Sequence, residues 1–189
     1  MIEREIVQKL IDKYVTTEWL KLHMRESEVI LRALAKYFGE NEDIWGITGL
    51  LHDIDFDVVK KDPNLHGVEF EKILKSENIE LPREVLHAIK AHNEDSELIL
   101  ERRESRLDYA LSASENISGF LVACALVQPD KRIGSVDVDS VLRKLKKKEF
   151  ARAVRRDLIN DIEKVGISLE EFVGISLDAV KEISEEVGL

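Results

Sequence analysis

The sequence predicts an all-α fold, and three observations carry that prediction. Apolar residues recur at the three-to-four-residue spacing of helices, and no stretch alternates at a period of two for long enough to make a strand. Only 9 Gly and 3 Pro occur in 189 residues, about half the usual combined share, whereas sandwiches and barrels need many turns. Charged residues make up 35% of the chain, as expected for helices with solvated outer faces. Apolar residues at 44% supply a sizeable core and exclude a disordered chain.

The elements follow in order. A first helix covers about 2–15. A second starts near Thr16-Thr17, with Glu18 in its first turn, and runs to Phe38 before Gly39, a residue suited to end a helix. Asn41 caps a third, which reaches His52-Asp53, and a polar loop follows through Pro63. A fourth spans about 66–77, and a fifth runs from Pro82 in its first turn to His92. The long sixth covers about 105–127 and is stopped by Pro129. Two or three short helices occupy 137–165. The last begins at Ser168, with Glu171 three residues on as a capping box, and runs to Val187 before Gly188. No linker or fixed-period repeat divides the chain, so one domain with a helical C-terminal extension is expected.

A net charge of −10 argues against binding nucleic acid or an anionic membrane by bulk electrostatics. The N-terminus has no basic stretch followed by an apolar one, so a cytoplasmic location is expected. Tyr109–Val127 carries one charge, Glu115, among Ser, Asn and Gly, and reads as a buried core helix rather than a membrane span. The single Cys124 excludes an intrachain disulfide and a thiolate metal cluster and reads as inert core. Neither a glycine-rich phosphate loop nor a Gly-x-Ser-x-Gly elbow is present.

What stands out is the placement of histidines and carboxylates. His52-Asp53 directly follows an apolar helix; an imidazole and a carboxylate can share one divalent cation, and a carboxylate can bridge two. The plainer alternative is a local His–Asp pair at a helix end. His23 lies mid-helix on a face with Leu20, Ser27, Ile30 and Leu34, where a lone His is more often a satisfied core residue. Glu115 shares a face with Leu111, Ser118 and Val122; an isolated buried carboxylate is costly, so it requires a partner, and a metal is the economical one.

In this order and helical context the residues resemble the HD phosphohydrolase superfamily, whose pattern is a His, then His-Asp, then a distant acid. The resemblance covers roughly 17–128, and Leu51–Phe56 and Ile117–Ala123 are similar to a subgroup of uncharacterised bacterial HD hydrolases. It implies an all-α HD-domain helical bundle with its metal-binding core there and an extension over 129–189. It implies His23, His52, Asp53 and Glu115 as metal ligands, with His66 and His92 matching the extra histidines of two-metal members. Asp53 would be the central, bridging ligand. The donors suit Fe, Mn, Zn, Ni or Co. The implied activity is hydrolysis of a small phosphate ester, such as a nucleotide, by metal-activated water, with His52 and Asp53 at its centre. Two departures are visible. The final acid is Glu115 rather than Asp, and Phe56 stands where some members carry a water-positioning Glu, flanked by Asp55 and Asp57 as candidate catalytic acids. A di-iron oxygenase and a non-catalytic ligand- or RNA-binding module are the alternatives. His87, five residues before His92 and so about 140° away on a helix, is left outside the set.

Arg143–Arg156 holds eight basic residues against one acid, Glu149. If helical throughout, it aligns Lys144, Lys148, Arg152 and Arg155 in one stripe. That stripe is either a solvated face, a phosphate-steering rim or a polyanion site.

Overall fold

The computed structural model describes residues 2–189. It contains α1 (Arg4–Tyr14), α2 (Glu18–Phe38), α3 (Glu42–Leu51), α4 (Phe70–Ser76), α5 (Arg83–Ala91), α6 (Arg106–Leu126), α7 (Val138–Leu145), α8 (Arg156–Asn160), α9 (Leu169–Glu182) and α10 (Ser184–Val187). Short 3-10 turns lie at Ile133–Ser135 and Asp161–Val165. Among the described residues there is no strand, and no helix is long and apolar enough to cross a membrane. The fold is therefore all-α.

Local chemistry sets the helix starts. Asn41 Oδ1 accepts from the backbone N–H groups of Asp43 and Ile44. Ser105 pairs reciprocally with Asp108, and Ser168 with Glu171, as capping boxes. Gly39 closes α2 in the left-handed region at φ 71°. The long helices α2 and α6 pack against each other; α2 also carries α3 and α9, and α6 carries α5 and α8. Leu20, Met24, Leu31 and Leu34 of α2 meet the apolar faces of α3 and α6 in one continuous core. Cys124 lies in this core, and burial pushes its thiol up to about 11.

Two expected helices are corrected, and the condition for a basic stripe is not met. The fourth begins at Phe70, not 66, because Gly67 is left-handed at φ 84° and the Asp55 carboxylate accepts from Gly67 N–H and Phe70 N–H. The last helix is interrupted at Ile183. The basic run is not one helix: α7 ends at Leu145, Ala151 is left-handed at φ 43°, and a loop continues to Arg155. The Arg156 guanidinium gathers the carbonyls of Leu145, Lys147, Phe150, Ala151 and Val154, which fixes that loop. Lys144, Lys148, Arg152 and Arg155 therefore form no common stripe.

The α2–α3 pair is unusually close. A Cβ at Gly49 would lie 2.7 Å from the Ser27 carbonyl oxygen and 2.9 Å from the Glu28 nitrogen. Both are backbone atoms that cannot step aside. At the same point of α2, Glu28 is fully buried and accepts from Arg4, Arg25 and Arg32, each at 3.0 Å. Arg25 continues to Glu186 on α10 and Arg32 to Asp43 on α3, so one carboxylate ties four helices. Burial alone would raise Glu28, but the arginines hold it below its ordinary value.

A group depressed by folding stabilises the fold fully above its unfolded value and loses that contribution as pH falls. Glu28→Gln is expected to cost about 2–3 kcal/mol at pH 7, because it leaves partly exposed arginines without their anion. The difference from wild type should shrink below about pH 4.5. Urea denaturation at pH 7 and pH 4 measures both; a constant difference would mean that the carboxylate charge is unimportant.

Candidate metal centre

Five parts of the chain deliver the candidate ligands to one interior point. His23 comes from the middle of α2, His52 from the residue that ends α3, and Asp53 from the next position. His66 lies in the turns before α4, His92 ends α5, and Glu115 lies on α6.

Asp53 stands between two pairs of imidazoles. Its Oδ2 lies 3.4 Å from His52 Nε2 and 3.7 Å from His23 Nε2. Its Oδ1 lies 3.0 Å from His66 Nε2 and 3.7 Å from His92 Nε2. Within each pair the Nε2 atoms face each other, at 3.3 Å for His23 and His52 and 2.8 Å for His66 and His92. Donor atoms of His23, His52 and Glu115 fall within 4.8 Å of one another, as do those of Asp53, His66 and His92.

The outer nitrogens determine what the inner ones present. His52 Nδ1 bonds the Gly49 carbonyl at 2.7 Å, His92 Nδ1 the Ile89 carbonyl, and His66 Nδ1 the Asp55 carboxylate at 2.8 Å. Carbonyl and carboxylate oxygens only accept, so each Nδ1 carries the hydrogen. The Ser118 hydroxyl donates to the Glu115 carbonyl at 3.0 Å and accepts from His23 Nδ1 at 2.9 Å. All four histidines thus turn Nε2 inward, as metal-binding histidines do when an outer partner fixes the ring.

The electrostatics agree. Burial, with His23 and His92 nearby, pushes His52 down to about 3 against the pull of Asp53, so it stays neutral. Burial, then the charge of Asp53, pushes Glu115 up to about 8. Burial would lower His66, but Asp53 and Asp55 raise it to about 10. The cluster holds more negative charge than it neutralises and draws protons or cations to itself. This donor set fits divalent metal ions.

Other expected site residues have different surroundings. Asp55 is fully buried, and its oxygens accept from His66 Nδ1, Gly67 N–H and Phe70 N–H, a role that orients His66. Asp57 accepts from the backbone N–H and hydroxyl of both Thr16 and Thr17. It caps α2 from outside, which is why the Thr17 hydroxyl makes no cap of its own. Neither acid lines the cavity above the cluster. Phe56 stands edge-on to His66, with ring centroids 5.1 Å apart. His87 turns to Asp108 on α6, at 3.2 Å.

The cluster opens into a cavity of about 630 Å³, within the range of small-molecule sites. Of the basic run only Arg155 lines it, with its neighbours Ala153 and Val154; Lys144, Lys148 and Arg152 do not. Sequence reasoning missed Glu26, a cavity-lining acid only 4% exposed. Burial pushes it up to about 8, against the opposing pull of Ser118. Its position one turn after His23 on the same helical face was the available signal.

These features belong to a metal-binding helical domain of the HD type. The HD domain family matches residues 22–118, just over half of the chain, and the chain belongs to that family. No curated protein and no solved structure matches it.

Asp57→Ala should cost about 1–2 kcal/mol, the range of a lost helix cap, and leave metal content unchanged. Thermal unfolding and elemental analysis test this. Loss of metal at unchanged stability would place Asp57 in the centre instead.

Proposed function

We propose that this protein is a metal-dependent phosphohydrolase that cleaves a small phosphate ester. The observation that carries the reading is Asp53, with a pair of inward imidazole Nε2 atoms at each carboxylate oxygen, on the floor of the cavity. His23, His52, Glu115 and one oxygen of Asp53 would hold one divalent ion, and His66, His92 and the other oxygen a second. Nitrogen and oxygen donors without thiolate suit Fe, Mn, Zn, Ni or Co. When bound, such ions polarise phosphoryl oxygen and lower the pKa of water.

The chain's own residues do the rest. Gly49, Ile89, Asp55 and Ser118 hold the imidazoles in one tautomer and orientation. Glu26 holds a proton at its carboxyl near neutral pH, because burial disfavours its anion. In the overall reaction a bond forms from water oxygen to phosphorus and the ester P–O bond breaks. One proton of the water ends on the leaving alcohol, and the products are alcohol and inorganic phosphate.

Asp53→Ala should abolish bound metal and phosphate release while the circular-dichroism signal of the helices persists; full metal content in that variant would refute the assignment. His66→Ala and His92→Ala should each lower metal content from about two equivalents towards one, and His87→Ala should leave it unchanged. A saturated wild-type protein that never exceeds one equivalent would make His66 and His92 orienting residues only.

A further inference from the structure

Above the metal cluster, the cavity walls are chemically one-sided. Trp19 and Leu22 of α2, Phe56, Val122 of α6, Val154 in the loop before α8, and Leu158 of α8 present apolar surface. Outside the candidate ligands, the charged residues lining the cavity are Glu26, Asp95 and Arg155. Arg155 is already engaged: its guanidinium lies 2.7 Å from Asp95 and 2.7 Å from Asp157. Of the other cations, Lys144 turns to Ser140, Arg152 to Glu149 and Arg156 to backbone carbonyls, and Lys61 stands over the Trp19 ring, 5.4 Å from its centroid. Sites that hold chains of phosphates supply a free Arg or Lys for the additional negative charge. Here a second or third phosphate would meet the Asp95 carboxylate beside an apolar wall.

Resting on the phosphohydrolase reading, we infer that the substrate is a phosphate monoester: one phosphate towards the His/Asp/Glu cluster and an apolar organic group against Trp19, Leu22, Phe56 and Val122. Gly119 of α6 marks the space available to that group. It lines the cavity, and a Cβ built there meets nothing within 4 Å. A side chain at 119 therefore starts into open space at its Cβ, and in a helix it improves on Gly in propensity.

The test has a binding arm and a turnover arm. Trp19 stands at the cavity, whereas the other tryptophan, Trp45, is buried in the core. Metal-free protein is titrated with cyclohexanol and with glycerol while tryptophan emission is followed. Cyclohexanol should act at a concentration at least about tenfold lower. Trp19→Phe should abolish the response, and Gly119→Leu should weaken it with the helical signal intact. Equal responses to the two alcohols overturn the inference whatever the turnover. In the second arm, Mn²⁺-loaded protein is given cyclohexyl phosphate, glycerol phosphate and the mono-, di- and triphosphates of one nucleoside. Cyclohexyl phosphate should exceed glycerol phosphate in kcat/KM by about tenfold or more, and the nucleoside monophosphate should exceed its di- and triphosphates. Faster cleavage of the triphosphate overturns the inference and leaves the phosphohydrolase reading standing. Selective cyclohexanol binding without hydrolysis of any ester, with Mn²⁺, Fe²⁺, Co²⁺, Ni²⁺ or Zn²⁺, refutes the phosphohydrolase reading and supports the apolar-ligand site.

Discussion

The backbone contact between α2 and α3 at Gly49 sets the geometry on which the rest of the centre depends. With 2.7 Å between a hypothetical Cβ and the Ser27 carbonyl oxygen, any side chain there would push the helices apart. The close approach brings His23 and His52 to 3.3 Å between their Nε2 atoms, although the two lie 29 positions apart in sequence. Gly49 also supplies the carbonyl that orients the His52 ring. A glycine inside a helix costs about 1 kcal/mol relative to alanine; here that weakness is the condition for joining two helices at imidazole distance.

Two glutamates, Glu28 fully buried and Glu115 partly buried, reach opposite outcomes. Glu28 sits among Arg4, Arg25 and Arg32 and is held ionised as a knot between helices. Glu115 sits beside Asp53 and the histidine pairs, and its carboxyl is pushed up to about 8. The first is a satisfied charge whose neighbours are committed to it. The second faces a cluster that still attracts positive charge. The difference lies in the partners, and it separates a structural acid from a candidate ligand.

Features written in local chemistry were legible in the sequence. Asn41, Gly39 and the Ser168–Glu171 pair mark helix ends because their effects reach only a few residues. The apolar run into His52-Asp53 could be read for the same reason. Features that depend on distant partners were not legible. Nothing near residue 146 announces that Arg156 will collect carbonyls from the preceding turns and end the helix. Likewise, Asp57 looks like a loop acid until the fold sets it against Thr16 and Thr17. The start of α4 shifted because Asp55 binds backbone on the far side of its own loop. Glu26 had a readable spacing from His23, but its burial depends on packing that one helix cannot reveal.

One wall of the cavity, at Ala153 to Leu158 and again at Val187 and Leu189, lies outside residues 22–118. The floor of donor atoms lies inside them. Selection can therefore alter the wall by substitution, insertion or exchange of the C-terminal helices while the anchored imidazoles stay undisturbed. Descendants of one ancestral floor can diverge in what they admit and still inherit the same ligand geometry.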